Sequence, residues 1–250
     1  MSRFSFHHFP AIPSIARAPL QAVNLKKMKI SVRGILFDMD GVLISSIGSV
    51  ERSWTKWAED HGVDPTLAIQ MAHGRRAIET VRFLRPDLND EEELRRLEEM
   101  EVEDREGVEI LDGVQRILQV LPANRWTVVT SATEKLAASR LRYGGIPVPE
   151  GIVTADKVSK GKPDPEPYLM GAKLLGLRPG DCLVIEDAAS GATAGHAAGC
   201  KVLATLFSHS LESLSDADWI VRSLADVRVT VSGEWIEVAF EPVARPVAAR

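Results

Sequence analysis

The sequence predicts an α/β fold: a parallel sheet with helices on both faces and an all-helical unit inserted after an early strand. Three observations carry this. From Gly113 onward, short apolar runs alternate with stretches of helical periodicity, the pattern of βαβ units. Before that, roughly sixty residues from Ser46 to Glu106 show helical spacing and no strand. Ahead of them, Gly34-Ile35-Leu36-Phe37 is a wholly apolar run, as suits a strand buried on both faces.

The chain has 250 residues, 45% hydrophobic and 26% charged, enough for one large domain or two modest ones. A formal net charge of -5 argues against nucleic acid or an anionic membrane surface as partner. No apolar stretch reaches the ~20 residues that span a bilayer. Cys182 and Cys200 sit among apolar or small residues and read as buried thiols of a reducing compartment. This points to a cytoplasmic protein.

Residues 1–29 contain no Asp or Glu, carry Arg3, Arg17, Lys26 and Lys27, and are broken by Pro10, Pro13 and Pro19. A targeting segment and a disordered extension both fit, and the lack of a clean amphipathic helix favours the extension. Met28 is an alternative start. Residues 30–45 and 107–229 form the expected core, 46–106 a cap, and 230–250 an added strand or hairpin with a mobile tail.

Within the cap, Val50, Trp54, Trp57 and His61 recur at three- and four-residue steps, predicting a helix that stops at Gly62. Further helices are expected at Pro65 to Ala72, Ala77 to Leu84 and Asn89 to Asp104. The last has Glu91/Arg95 and Glu92/Arg96 at i,i+4 spacing and Leu94, Leu97 and Met100 on its inner stripe. Trp54 and Trp57 read as cap core in preference to sugar-stacking platforms.

In the core, strands are expected at Trp126 to Thr130, Gly151 to Ala155, Cys182 to Glu186, Lys201 to Thr205 and Trp219 to Val221. Helices are expected near Val114 to Leu121, Ala132 to Tyr143, Glu166 to Leu175 and Ala189 to Ala198. Open parallel sheets bind ligands beyond the carboxyl ends of their strands. Those ends carry Asp38 and Asp40, then Thr130-Ser131, then Lys162 in Gly161-Lys162-Pro163-Asp164-Pro165, then Glu186-Asp187. Singly, each reads as an ordinary turn, and Asp38-Met39-Asp40-Gly41 alone reads equally as a solvated one. Together, two acid pairs, a hydroxyl and a lysine on one sheet edge describe a divalent-cation and phosphate site. Ser131 has a second reading, as N-cap of the next helix in the capping box Ser131-Ala132-Thr133-Glu134.

These segments resemble the haloacid dehalogenase-like phosphohydrolase superfamily from Gly34 to about Val229. Its four signature segments are matched by Asp38-Met39-Asp40-Gly41-Val42, Val128-Val129-Thr130-Ser131, Gly161-Lys162-Pro163-Asp164-Pro165 and Ile185-Glu186-Asp187-Ala188. The resemblance implies a Rossmann-like core with a helical cap. The stretch from Ala72 to Thr80 is similar to that of sugar-phosphate, glycerol-phosphate and 2-deoxyglucose-6-phosphate phosphatases.

It further implies Asp38 as nucleophile, Asp40 as general acid and base, and Ser131 and Lys162 as phosphate-binding groups. Mg²⁺ would be held by Asp38, Asp40 (through its carbonyl) and Asp187, with Glu186 auxiliary. In the cap, Arg75, Arg76, His73 and Glu79 are candidates for substrate contact; ordinary surface charges are the competing reading. The expected partner is a small phosphorylated metabolite, and the expected state a monomer or weak dimer.

Alternatives differ by single residues. A dehalogenase would lack Asp40. A phosphonatase would need a cap lysine, and the cap offers only Lys56. A β-phosphoglucomutase-like enzyme would place a histidine ten residues after the second acid, where this chain has Val50. A catalytically silent binding protein on the same fold would lose Asp38, Asp40, Lys162 or Asp187; all are present. One departure is Ser45-Ser46, where an acid-Ser pair is common, which leaves cap closure open.

Overall fold

The structure, a computed structural model, describes residues 27–244. The basic segment 1–26 and the last six residues lie outside that range. The central sheet has five strands in the order β5-β2-β6-β7-β8: β2 (Gly34–Phe37), β5 (Trp126–Val128), β6 (Cys182–Glu186), β7 (Lys201–Thr205) and β8 (Trp219–Val221). Every pairing within it is parallel. Successive side chains of these strands enter opposite cores. Ile35, Phe37, Leu183, Ile185 and Leu203 pack on one face, and Leu36, Val184, Val202 and Ala204 on the other.

Helices α5 (Val114–Val120), α6 (Glu134–Tyr143), α7 (Glu166–Leu174) and α8 (Ala189–Ala197) connect or flank the strands. Gly195 of α8 would place a Cβ 3.0–3.2 Å from Val184 and Val202, so its small size lets the helix sit close on the sheet. Gly199 has a different reason: with φ of +79° and nothing nearby, it turns the chain out of α8.

Helices α1 (Ile47–His61), α2 (Pro65–Ala72), α3 (Ala77–Leu84) and α4 (Asp90–Glu103) follow β2. They enclose a separate core of Trp54, Trp57, Ala58, Ala68, Val81 and Leu97. Trp54 and Trp57 are fully buried with ring centroids 5.4 Å apart, and the Trp57 indole donates to Glu93 at 2.9 Å. Gly62 ends α1 with φ of +65°. The chain segments entering and leaving this unit pair as two short antiparallel strands, β3 (Ile44–Ser45) and β4 (Glu109–Ile110).

Five local expectations are revised. The core begins at Met28, not residue 30: β1 (Met28–Val32) joins β9 (Arg228–Ser232) and β10 (Trp235–Phe240) in an antiparallel sheet of order β1-β10-β9. The expected hairpin near 231–240 is thus one part of a three-stranded layer. Gly151 to Ala155 is not a strand; one bridge, Val129 to Val153, forms before a 3₁₀ turn at Ala155–Lys157. The N-cap of α6 is Thr133, whose hydroxyl accepts from the Leu136 amide, while Ser131 turns its hydroxyl toward the Gly74 carbonyl. The pairs Glu91/Arg95 and Glu92/Arg96 do not form. Arg95 pairs with Glu99 at 2.8 Å, and Arg96 lies 3.4 Å from Glu93, which Trp57 draws inward. Finally, the inner stripe of α4 includes two acids: Glu93, Leu97 and Glu101 are its buried residues.

Candidate active site

The β2 strand ends in a tight turn that sets both aspartates at the sheet edge. The Asp38 amide donates to the Ile185 carbonyl at 2.9 Å, locking it to β6, and the Gly41 amide donates to the Ile44 carbonyl at 2.8 Å. Gly41 has φ of +80°, and a Cβ there would lie 1.9 Å from Asp187 Oδ2. Only glycine lets the turn pass this close to the second acid pair.

Beneath the turn lies a buried charge cluster. Lys162 Nζ donates to Asp38 Oδ1 at 2.6 Å, to Glu186 Oε1 at 2.7 Å and to the Val129 carbonyl at 3.0 Å. Tyr168 Oη also donates to Glu186 Oε1, at 2.7 Å. Glu186 Oε2 accepts from the Asp187 and Ala188 amides at 2.9 and 3.0 Å. Four donors thus occupy both Glu186 oxygens and hold Lys162 in place, while Glu186 remains within the carboxylate group that could hold a metal ion. Asp187 is held instead by the hydroxyl of Ser208.

Electrostatics give the cluster its character. Burial, with the charges of Glu186 and Asp40 adding to it, raises the Asp38 pKa to about 7 despite the opposing Lys162 charge. Burial likewise lifts Asp187 well above the carboxylate range, reinforced by Glu186 and Asp38. Burial also disfavours charge on Lys162, but Asp38 and Glu186 outweigh it and raise its pKa. Carboxylate oxygens of Asp38, Glu186 and Asp187 lie within 4.8 Å of one another. Carboxylates gathered this closely offer an all-oxygen donor set of the kind a divalent cation takes.

Over this edge lies a cavity of about 470 Å³ between the core and helices α1–α4. Asp38, Asp40, Ser131 and Asp187 line its floor; Val50, Trp54, His73, Arg75 and Arg76 line the other side. The helical unit is seated on the core. The Gly74 carbonyl accepts from Ser131 Oγ at 3.2 Å and Ser190 Oγ at 3.0 Å. Arg76 donates to the carbonyls of Val158 and Ser159 at 3.0 and 3.2 Å.

The four cap candidates separate. Arg76 is consumed by those carbonyls and by an ion pair with Glu79, and Glu79, so held, does not line the cavity. His73 Nδ1 is engaged with the Ile69 carbonyl at 2.8 Å. Arg75 is exposed, lines the cavity and has no side-chain partner among the described residues. Sequence reasoning missed Arg140 and Glu101, both buried against Asp40's side of the cavity.

Fold and site together define an α/β protein with a buried acid cluster, braced by Lys162, at the edge of a parallel sheet beneath a cavity. A family model for haloacid dehalogenase-like hydrolases matches residues 32–199. The chain is 39% identical over 203 residues to hexitol phosphatase A of Escherichia coli, covering 79% of this chain and 94% of that one. It is 34% identical over 233 residues to glycerol-1-phosphate phosphohydrolase 2 of Saccharomyces cerevisiae, covering 87% and 93%. In fold it is similar to a β-phosphoglucomutase from Clostridium difficile, with a TM-score of 0.67, 23% identity and coverage of 78% and 92%. The chain belongs to the haloacid dehalogenase-like hydrolase family and is a phosphoric monoester hydrolase.

Proposed function

We propose that the enzyme hydrolyses the phosphate monoester of a small sugar or polyol through an aspartyl-phosphate on Asp38. The observation that carries this is the pairing of Asp38 with buried Lys162 at 2.6 Å, directly below a cavity that Asp40 also lines. An Asp38 oxygen attacks phosphorus while the ester P–O bond breaks, and Asp40 delivers a proton to the departing alkoxide. A water molecule then attacks the aspartyl-phosphate, Asp40 removes its proton, and phosphate leaves. Lys162 neutralises Asp38 before attack. Ser131, at the floor, donates to phosphoryl oxygen after giving up the Gly74 carbonyl.

Asp38, Asp187 and the Asp40 carbonyl are the residues we assign to Mg²⁺, with Glu186 auxiliary; carboxylate oxygens of Asp38, Glu186 and Asp187 lying within 4.8 Å of one another support this. When bound, the ion supplies charge neutralisation for the phosphoryl group.

The similarity to hexitol and glycerol phosphatases supports a polyol or sugar phosphate, and residues 46–106 act as the cap that shapes its pocket. At the position where a mutase would offer an imidazole, Val50 presents hydrocarbon to the cavity, which favours release of phosphate over its return. Free, buried Cys182 and Cys200 support a cytoplasmic setting. Among the described residues no helix is long and apolar enough to cross a membrane. We read the enzyme as a monomer or weak dimer, and its formal net charge of -5 argues against nucleic acid as a partner.

The test is a phosphate-release screen over sugar, polyol and nucleotide monophosphates, with Mg²⁺ and with EDTA, alongside Asp38→Asn. Mg²⁺-dependent release from polyol or sugar phosphates, lost in Asp38→Asn, is expected. Full activity in chelator would refute the metal assignment, unaltered turnover by Asp38→Asn the nucleophile. Silence across the panel would leave a binding protein.

A further inference from the structure

We propose that Arg140 is a positioning residue for Asp40: it fixes the carboxylate and, through Glu101, makes that fixing depend on the seating of the cap. The inference rests on the reading of Asp40 as general acid and base, and it deepens that reading.

Arg140 lies on core helix α6 and is 4% exposed. Its Nη1 donates to Asp40 Oδ1 at 2.9 Å, and its Nη2 donates to Glu101 on cap helix α4, itself 7% exposed. Ser46 Oγ donates to the same Asp40 oxygen at 2.6 Å. Oδ1 therefore takes both donors, and Oδ2 accepts no hydrogen bond among the described residues. One oxygen is clamped and the other presented, which is the arrangement proton transfer to a leaving group needs, because a general acid works only from hydrogen-bond reach in the right orientation.

A second tie between the same helices sharpens the point. Glu98 of α4 accepts from Thr133 Oγ1 at 3.0 Å and pairs with Lys135 at 2.9 Å. Helix α4 is thus already fastened to α6 at the surface. The buried tie adds something different: it ends on Asp40. A guanidinium suits the task because its planar fork reaches two carboxylates at once, which a lysine ammonium does with less fixed geometry. Arg140 joins one acid from the cap to one acid from the core, so lifting the cap removes Glu101 from Arg140 and loosens the clamp on Asp40.

The experiment compares kcat/KM on sorbitol 6-phosphate and p-nitrophenyl phosphate for wild type, Asp40→Asn and Arg140→Met in Mg²⁺. The ratio kcat/KM covers the steps through departure of the leaving group. An alkoxide needs a proton to leave; p-nitrophenolate does not. Arg140→Met is expected to lose at least about tenfold more on sorbitol 6-phosphate than on the aryl ester, in the same sense as Asp40→Asn. Equal losses on both substrates, or none, would overturn the proposal and leave Arg140 a structural staple. An Asp40→Asn enzyme without leaving-group bias would remove the acid role itself, and the proposal with it. Should Arg140→Met not fold, Arg140→Met/Glu101→Gln removes the stranded cap charge and is expected to show the same bias. Arg140→Lys is expected to recover part of the alkyl-ester rate.

Discussion

A Cβ at Gly191 would lie 1.6 Å from Glu186 Oε1 and 2.0 Å from its Cδ. The first turn of α8 therefore presses backbone against the carboxylate that accepts from Lys162 and Tyr168. Any side chain at Gly191 displaces Glu186, and Glu186 carries Lys162 with it.

Gly191→Ala is accordingly expected to lower kcat by about 100-fold or more, since misplacement of a catalytic group by about 1 Å has effects of that order. The backbone conformation itself allows alanine, so the protein is expected to fold, with a lower Tm. Steady-state kinetics beside a thermal melt check this. Wild-type kcat in a folded Gly191→Ala enzyme would show that Glu186 does not set the position of Lys162.

Lys162→Met tests the cluster through stability. The change keeps the hydrocarbon volume and strips the charge that Asp38 and Glu186 face at 2.6 and 2.7 Å. Removing one partner of a buried ion pair typically costs about 3–5 kcal/mol, because the remaining charges stay desolvated. Urea unfolding at pH 7.5 without metal is the measurement, and a loss below about 1 kcal/mol would mean the cluster is more solvated than its burial implies.

The sheet and its edge were legible in the sequence because β2, β6 and β7 carry continuous apolar runs (Gly34 to Phe37, Cys182 to Ile185, Val202 to Ala204) that stop at a charge or hydroxyl. Pro65 to Ala72 and Ala77 to Leu84 form as expected, since Asp64-Pro65 starts one helix and Gly74 separates it from the next. Asp38, Asp40, Ser131 and Asp187 do line one cavity, with Lys162 beneath it. Arg140 was not legible as a functional residue, because Lys135 and Arg142 around it make its helix look solvated. The signal lay in the spacing. Arg140 falls on the buried stripe with Leu136, Ala137 and Leu141, and Glu101 on that of Leu97. A charge on an apolar stripe requires a partner. Strand β1 escaped for another reason: Met28 pairs with Phe240, a partner at the other end of the chain that local pattern cannot reveal.

Burial sets the behaviour of the two thiols. It pushes Cys182 and Cys200 up to about 12, so at pH 8 each is almost wholly protonated. The thiolate is the reactive form, and its share rises about tenfold per pH unit below the pKa. Ellman's reagent at pH 8 is therefore expected to label neither cysteine in the native protein and both in denaturant. Stoichiometric labelling of the native protein within minutes would contradict the burial of these sites.

Arg75 and Arg76 are adjacent but differently engaged, so they are expected to differ in effect. Arg76 latches α3 to the core loop through the carbonyls of Val158 and Ser159, and its ion pair with Glu79 holds the guanidinium in place. Arg76→Ala unseats the cap edge whatever the substrate, so polyol phosphates and a small aryl phosphate should both lose rate. Arg75 has no such duty; its charge is open to the cavity. Arg75→Ala is expected to change the ranking among sugar and polyol phosphates by about 1–2 kcal/mol in kcat/KM while changing the aryl phosphate less, as for loss of a hydrogen bond from a charged donor. Matched kinetics on one polyol phosphate, one sugar phosphate and p-nitrophenyl phosphate separate the two. Equal losses across all three in Arg75→Ala would assign Arg75 to the seating of the cap, and leave substrate choice to the shape set by Val50, Trp54 and Ile78.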